Sequence, residues 1–331
     1  MRIKGLILFV FVLNLAAFAA EQTWHLKEGQ EWQQVGQEGN SDFLMAVTQA
    51  KQLVSTGKTD KAGKAFDKLK TDFPQLTGAD FDAYVKAELL FSQRKYIEAS
   101  TAYDNFTEQF PESPFYQSAL QRQSQIGTAF LSGQKRPVLK VFRLSAYDEG
   151  TEIMNKIADK TGDSPTAQNA LQTLAQSDEK RGAWHEAYLA WASVSDRWPT
   201  GQIGKDATLG MARSLENDYK GPKLDAKVLE SSRSYYAEYQ KRYPDTAGQI
   251  EVPQTINSID EKLAEKELTV ADYYARTASY AAAELCYQKV IDDWPNSGAA
   301  KSAQQKITVV RKEQEKAQSE KKKFNWKGLF L

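Results

Sequence analysis

The sequence predicts an all-α fold, a solenoid of about six stacked helical hairpins. The first observation is a recurring pattern: a small residue, an aromatic residue four positions later, an apolar residue three after that, and a closing aromatic–proline pair. The second is the spacing, since steps of four, three and four place these residues on one helical face. The third is the proline, which ends a helix because it lacks an N–H and disfavours helical backbone before it.

The five copies are Ala62-Phe66-Leu69-Phe73-Pro74, Ala99-Tyr103-Phe106-Phe110-Pro111, Ala187-Trp191-Val194-Trp198-Pro199, Ser232-Tyr236-Tyr239-Tyr243-Pro244 and Ala283-Tyr287-Val290-Trp294-Pro295. The second helix of a tetratricopeptide (TPR) hairpin has this order of residues in a repeat of about 34 residues. One hairpin is too small to bury its own apolar face, so the hairpins must stack. The resulting concave surface suits extended peptides and proteins, and we predict recognition or scaffolding.

The residue types present argue against catalysis and metal binding. His25, His185 and the single cysteine, Cys286, have no metal-ligand spacing, and no phosphate loop or catalytic motif occurs. We therefore predict a non-enzymatic protein without catalytic residues, cofactor or metal. Cys286 is interpreted as a small buried side chain, with an intermolecular disulfide as the alternative. Basic and acidic residues both number 43, so no net field favours nucleic acid.

The first 19 residues are predicted to be a secretory signal peptide. Arg2 and Lys4 precede an apolar stretch, Gly5–Phe18, which ends in small residues with cleavage after Ala19. The mature protein is expected to be exported and, in a Gram-negative-type host, to reside in the periplasm, peripheral to the outer membrane. No cysteine stands directly after the predicted cleavage site, so we expect no lipid anchor.

A flexible lead is predicted for residues 20–41, where no hydrophobic period is found. Trp24 and Trp32 either fold back on the first repeat or dock a partner. The solenoid is predicted over residues 42–298. Its predicted helices include Phe43–Ser55, Gln117–Leu131, Ala146–Lys160, Thr255–Thr277 and Tyr280–Trp294.

The connection at residues 132–144 is long and basic, and it is either a solvated loop or a partner-binding insertion. Residues 299–331 are predicted to form a capping helix, Ala299–Ser319, followed by a basic aromatic tail. Lysines beside aromatic residues suit an anionic membrane surface or a partner, with folding back on the last repeat as the alternative. The tail residues assigned to this contact are Lys321, Lys322, Lys323, Phe324, Trp326 and Phe330.

The C-terminal repeats resemble a known family. The run Leu263-Ala264-Glu265-Lys266-Glu267-Leu268-Thr269-Val270-Ala271-Asp272-Tyr273-Tyr274, preceded by Arg242-Tyr243-Pro244-Asp245-Thr246 and followed by Asp293-Trp294-Pro295-Asn296-Ser297, is similar to the BamD family of TPR lipoproteins. This family belongs to the machinery that assembles β-barrel proteins in bacterial outer membranes. The resemblance covers roughly residues 43–115 and 203–298.

The resemblance implies a scaffold that binds unfolded outer-membrane proteins through its N-terminal repeats and a BamA-like barrel subunit through its C-terminal repeats. Mapped by repeat position, the expected peptide groove consists of Leu44, Val47, Lys51, Phe81, Tyr84, Glu88 and Ser92. The expected partner-docking residues are Tyr273, Tyr274, Tyr280 and Cys286.

The chain also departs from the family. The lipobox cysteine is missing, an insertion and about one extra repeat lie between residues 116 and 202, and Thr277-Ala278-Ser279-Tyr280 and Cys286 replace a segment that contacts BamA in the family. A periplasmic TPR adaptor of another envelope pathway, such as cell-wall synthesis or division, stays open as the alternative.

Overall fold

The computed structural model describes the backbone of residues 24–25, 33–34, 37–138 and 142–328, and the side chains within 41–137 and 143–320. The predicted signal peptide lies outside the described residues, as does most of the lead. Two compact units, residues 1–99 and 100–331, make up the chain.

Helices dominate the described residues, and four short strands accompany them. The helices are α1 Gln37–Ser55, α2 Thr59–Asp72, α3 Ala79–Ser92, α4 Tyr96–Gln109, α5 Tyr116–Leu131, α6 Tyr147–Thr161, α7 Pro165–Arg181, α8 Trp184–Arg197, α9 Gly201–Asp218, α10 Lys227–Arg242, α11 Pro244–Gln249, α12 Val252–Arg276, α13 Tyr280–Asp293 and α14 Gly298–Gly328. The strands are β1 Trp24–His25, β2 Gln33–Gln34, β3 Lys135–Val138 and β4 Phe142–Ser145. The prediction of an all-α, TPR-type solenoid is confirmed as the fold class.

The recurring pattern forms the core of the hairpins. Its small and aromatic residues are buried, as Ala187 and Trp191 of α8 and Ala283 and Tyr287 of α13 illustrate. The aromatic residue before proline caps its helix, since Trp198 and Trp294 each donate the backbone N–H to a carbonyl four residues earlier. The predicted proline stops are therefore confirmed.

In the N-terminal unit, aromatic rings join α1, α2 and α3. Phe43 contacts Phe73 edge-on at 5.5 Å between ring centroids, and Phe66 contacts Phe81 at 6.1 Å. Gly57, at φ +70°, makes the tight turn between α1 and α2, a backbone conformation that favours glycine.

In the C-terminal unit, three carboxylates link successive hairpins, and we call Glu179, Glu216 and Asp272 the junction carboxylates. Each accepts a hydrogen bond from the pattern aromatic of its own hairpin and pairs with a cation on the next hairpin. The aromatic donors are Trp191 Nε1 at 3.0 Å, Tyr236 Oη at 3.2 Å and Tyr287 Oη at 2.6 Å. The cations are Arg213 at 2.7 Å, Lys262 at 2.8 Å and Lys306 at 2.7 Å.

The junction carboxylates influence two of the tyrosines that bind them. Burial, together with Glu216, raises the pKa of Tyr236, and burial with the hydrogen bond to Asp272 raises the pKa of Tyr287. Both hydroxyls consequently remain protonated donors at neutral pH. This polar contact recurs at three successive hairpins, so it helps to fix their register.

Four elements differ from the sequence-based expectation. Helix α1 begins at Gln37, six residues earlier than predicted, and the strands β1 and β2 pair within the lead that was expected to be flexible. The basic connection contains the antiparallel hairpin β3–β4, with Arg136 opposite Leu144, because β-branched and aromatic residues such as Val138 and Phe142 favour strands. Helix α14 continues through Gly328, beyond the predicted end at Ser319.

Candidate partner-binding surfaces

The seven predicted groove residues lie mostly inside the helical packing. Val47, Phe81, Tyr84, Glu88 and Ser92 are buried, Lys51 is half-buried, and only Leu44 is exposed. Phe81 packs on Phe43 and Phe66, and the hydroxyl of Ser92 lies 2.8 Å from that of Thr59. The five buried side chains therefore hold helices together instead of facing a peptide, which corrects the predicted groove. Repeat register predicts which way a residue points, but not which neighbouring helix covers it.

The most exposed large apolar side chains described in the N-terminal unit lie on α1. Leu44 and its neighbour Met45 are more than half exposed. They lie on the solvent side of the helix whose inner side carries Phe43, Val47 and Ala50. Leu44 and Met45 therefore form an exposed apolar pair of the kind expected at a peptide-binding surface, whereas most of the predicted groove residues are buried.

The four predicted docking residues lie in the last hairpin, in different environments. Tyr273 is 56% exposed, and its ring meets that of Tyr274 edge-on at 5.7 Å. Tyr274, Tyr280 and Cys286 are partly buried and pack against the core of α12, α13 and α14. Only Tyr273 among the four therefore presents most of its side chain to a partner.

Leu285 is the exposed residue that sequence reasoning missed. It lies on α13 and is 74% exposed, the largest value among the exposed large hydrophobic side chains. It falls two residues after the buried Ala283, on the opposite side of a helix turning about 100° per residue. Leu285 stands two residues after the small residue of the recurring pattern, and this position could have identified it from the sequence as exposed.

Several contacts make this hairpin a rigid support for Tyr273 and Leu285. Lys289 of α13 binds Glu267 of α12 at 3.0 Å, and Arg311 of α14 binds Glu284 of α13 at 2.7 Å. Asp272, directly before Tyr273, is a junction carboxylate held by Lys306. Tyr273 on α12 and Leu285 on α13 thus project from helices that are bound to each other and to α14.

Cys286 is not set up as a reactive thiol. Burial raises its pKa, and the nearby carboxylate of Glu267 raises it further. The thiolate is the nucleophilic form of cysteine, so a raised pKa lowers reactivity. The contacts of this side chain are those of a small packed residue.

An acidic cleft opens beside the start of α14, and two of its carboxylates, Asp260 and Glu261, already have partners. Glu261 accepts backbone hydrogen bonds from Gly298 at 2.8 Å and Ala299 at 3.1 Å, and Asp260 binds Arg233 at 2.5 Å. Within the described part of the chain, no group of three or more His, Cys, Asp or Glu side chains is arranged to hold a metal ion.

The predicted membrane or partner tail is helical as far as it is described. Residues 321–328 continue α14, whereas their side chains and the whole of Phe330 lie outside the described residues. Among the helices that the structure describes, none combines the length and apolarity needed to span a bilayer.

Comparison with known proteins finds one family model that is similar to the C-terminal part of the chain. Residues 214–324 match the model of the family YfiO, described as outer membrane lipoprotein. This segment contains α10 to α13 and most of α14, including Tyr273 and Leu285. The BamD-like resemblance inferred from the sequence is thereby confirmed for this segment. None of the curated proteins is similar enough to the chain to match it.

Solved TPR structures are also similar to the chain. The TPR domain of P58(IPK) is 15% identical, with a TM-score of 0.24, over 83% of this chain and 80% of that domain. The C-terminal part of a TPR repeat-containing protein from Cytophaga hutchinsonii is 15% identical, with a TM-score of 0.20, over 77% of this chain and 98% of that one. The fold assignment rests on the helical hairpins described above.

Proposed function

We propose that the chain is a periplasmic, non-enzymatic TPR scaffold, peripheral to the outer membrane, that acts in outer-membrane β-barrel protein assembly. One observation carries the proposal: the segment that matches the outer membrane lipoprotein family also contains the exposed Tyr273 and Leu285. The TPR fold supports a protein-binding role, since stacked hairpins offer long surfaces and no dry catalytic pocket.

The C-terminal hairpin is the proposed docking surface for a BamA-like barrel subunit. Binding energy in protein interfaces concentrates in a few residues, among which tyrosine is enriched. Tyr273 supplies an aromatic anchor, and Leu285 supplies an apolar one on the adjoining helix. Because α12, α13 and α14 pack around a shared apolar core, the backbone that carries these anchors is already ordered before binding.

The N-terminal unit is the proposed contact for unfolded outer-membrane proteins. Leu44 and Met45 on α1 replace the buried groove residues as the apolar elements that an aromatic-rich extended segment can contact. Lys51, about two turns after Leu44 on the same side of α1, is half-buried and contributes a positive charge to this surface.

Affinity purification of the full chain from its own cell envelope tests the proposal. A stoichiometric BamA-like barrel protein should co-purify, and the double variant Tyr273→Ala, Leu285→Ser should lose it while remaining folded. The control is Leu189→Ser, which removes a leucine that is 51% exposed from α8, outside the family-matched segment. Co-purification of cell-wall or division proteins in place of the barrel protein would favour the other envelope pathway.

A further inference from the structure

The β3–β4 hairpin is a small sheet inserted between the helices α5 and α6. Residues Lys135–Val138 pair antiparallel with Phe142–Ser145, and these two strands form the whole sheet in the described part of the chain. Both outer edges of such a ribbon carry backbone N–H and C=O groups that no strand pairs. Open edges of this kind are templates for pairing with another chain.

The two edges are not equivalent. Pro137 lies inside β3 and has no backbone N–H, so β3 cannot present a continuous row of donors. Strand β4 contains no proline, and its residues Arg143, Leu144 and Ser145 are all exposed. The edge of β4 is therefore the one on which a further strand can be built.

Three basic side chains lie on the hairpin or at its base, although the chain as a whole is neutral. Lys135 pairs with Ser145 and Arg143 pairs with Pro137, so both basic residues belong to the same face of the hairpin. Lys180 of α7 lines a cleft at the base of the hairpin. These three side chains are exposed and form no ion pair with a described residue.

Other charges in this region are already paired. Arg136 pairs with Glu149, and Arg181 pairs with Asp178 at 2.5 Å while its guanidinium lies 4.3 Å from the ring centroid of Tyr147. Two exposed acids also lie in this region, Asp148 directly after Tyr147 and Glu186, which is close enough to Asp178 to raise its pKa. The two strands themselves carry the exposed Lys135 and Arg143 and no acidic residue, which favours an acidic ligand.

We propose that β4 is a docking edge for an extended, acidic polypeptide segment of a partner protein, which adds a third strand to the β3–β4 hairpin. Backbone hydrogen bonds along β4 give the affinity, and Lys135, Arg143 and Lys180 select acidic side chains. An isolated two-stranded hairpin is marginally stable in water, and a third strand stabilises it. This surface is independent of the C-terminal docking residues, so it does not depend on a role in barrel assembly.

The test uses the full chain and a pair of synthetic peptides with the same sequence, in which glutamate alternates with valine or threonine. In one peptide every second backbone nitrogen is methylated, which removes the donors along one edge and keeps every side chain. Binding is measured by fluorescence anisotropy, and amide hydrogen exchange of residues 142–145 is followed in parallel.

We expect the unmethylated peptide to bind and to slow exchange in β4, and methylation to weaken binding about tenfold or more. Arg143→Glu should weaken binding, whereas Lys223→Glu, the same charge change in the exposed turn between α9 and α10, should not. Circular dichroism confirms that both variants fold, and Arg143→Gln gives a milder charge change at the same position. Equal binding of both peptides, or exchange in β4 that the peptide leaves unchanged, would overturn the proposal.

Discussion

The indole Nε1 of Trp191 donates a hydrogen bond to Oε1 of Glu179 at 3.0 Å, and the same carboxylate binds Arg213 of the next hairpin through both oxygens, at 2.7 and 2.8 Å. One side chain thus connects three helices, α7, α8 and α9. Glu216 and Asp272 repeat the arrangement further along the chain. The scaffold is consequently held by one type of polar contact at successive hairpins, in addition to its apolar core.

Replacing the first junction carboxylate should destabilise the C-terminal unit. Glu179→Ala leaves the indole N–H and the guanidinium of Arg213 without their acceptor. Because the arginine is partly exposed, we expect a loss of about 1–3 kcal/mol in the free energy of unfolding, measured with urea. Glu313→Ala, at an exposed site on α14, should change it by less than about 0.5 kcal/mol. Equal effects of the two substitutions would contradict the junction role.

Gly210 tests how closely α9 approaches α8. A Cβ added there would lie 2.4 Å from the indole of Trp191, which the bond to Glu179 keeps in place. Gly210→Ala should therefore lower the unfolding free energy by about 1–3 kcal/mol, despite the better helix propensity of alanine. Gly248→Ala adds the same methyl group to open space and serves as the control in thermal unfolding. A stabilised Gly210→Ala protein would mean that the helices separate freely.

Asp104 should make stability depend on pH in the acid range. Burial alone would raise its pKa, but hydrogen bonds from Lys160, Gln123 and Lys156 hold the pKa below the ordinary 3.8. A depressed folded-state pKa gives stabilisation that is complete above the unfolded-state pKa and is lost as the pH falls through the folded-state pKa.

The difference in unfolding free energy between wild type and Asp104→Asn should thus be constant above about pH 5 and shrink below about pH 4. Urea unfolding across this range measures it, and Asp292→Asn, at an exposed position bonded only to Gln288 of its own helix, provides the comparison. A difference that does not change with pH would show that the carboxylate contributes through its shape alone.

The C-terminal lysines should control attachment to an anionic surface. Each lysine near such a surface contributes about 1 kcal/mol, so replacing Lys321, Lys322 and Lys323 by serine should weaken binding to anionic vesicles on the order of a hundredfold. Co-sedimentation measures the change. A triple replacement by arginine keeps the charge and should retain binding, and neutral vesicles should bind all forms weakly. Unchanged binding by the serine variant would exclude the tail as a membrane contact.

The sequence predicts the fold better than it predicts the surfaces. The recurring pattern identifies the buried residues, since Ala283 and Tyr287 must be covered wherever the hairpin lies. It does not identify what covers Phe81 or Tyr84, because long-range packing decides that. The sequence did not decide whether residues 132–144 form a solvated loop or a partner-binding insertion. Strands of four residues, such as β3 and β4, are too short to show a clear hydrophobic period.

The junction carboxylates do have a sequence signal, which lies in spacing and not in composition. The cation follows the carboxylate by 34 residues at Glu179 and Arg213 and again at Asp272 and Lys306. The same two spacings occur twice in the sequence: 15 residues from the carboxylate to the aromatic residue and 34 from the carboxylate to the cation. They are found at Asp272, Tyr287 and Lys306 and again at Glu88, Tyr103 and Arg122.

Glu261 has a further consequence for how the end of the chain tolerates truncation. Its carboxylate receives the first backbone amides of α14, so the last helix starts on an acceptor that α12 already provides. The residues from Ala299 to Val310 then cover the core that contains Ala264 and Ala271. A chain cut after Val310 keeps both the starting point and the cover, whereas one cut before Gly298 leaves an apolar surface open to aggregation. The point at which the protein can be shortened thus lies inside a continuous helix.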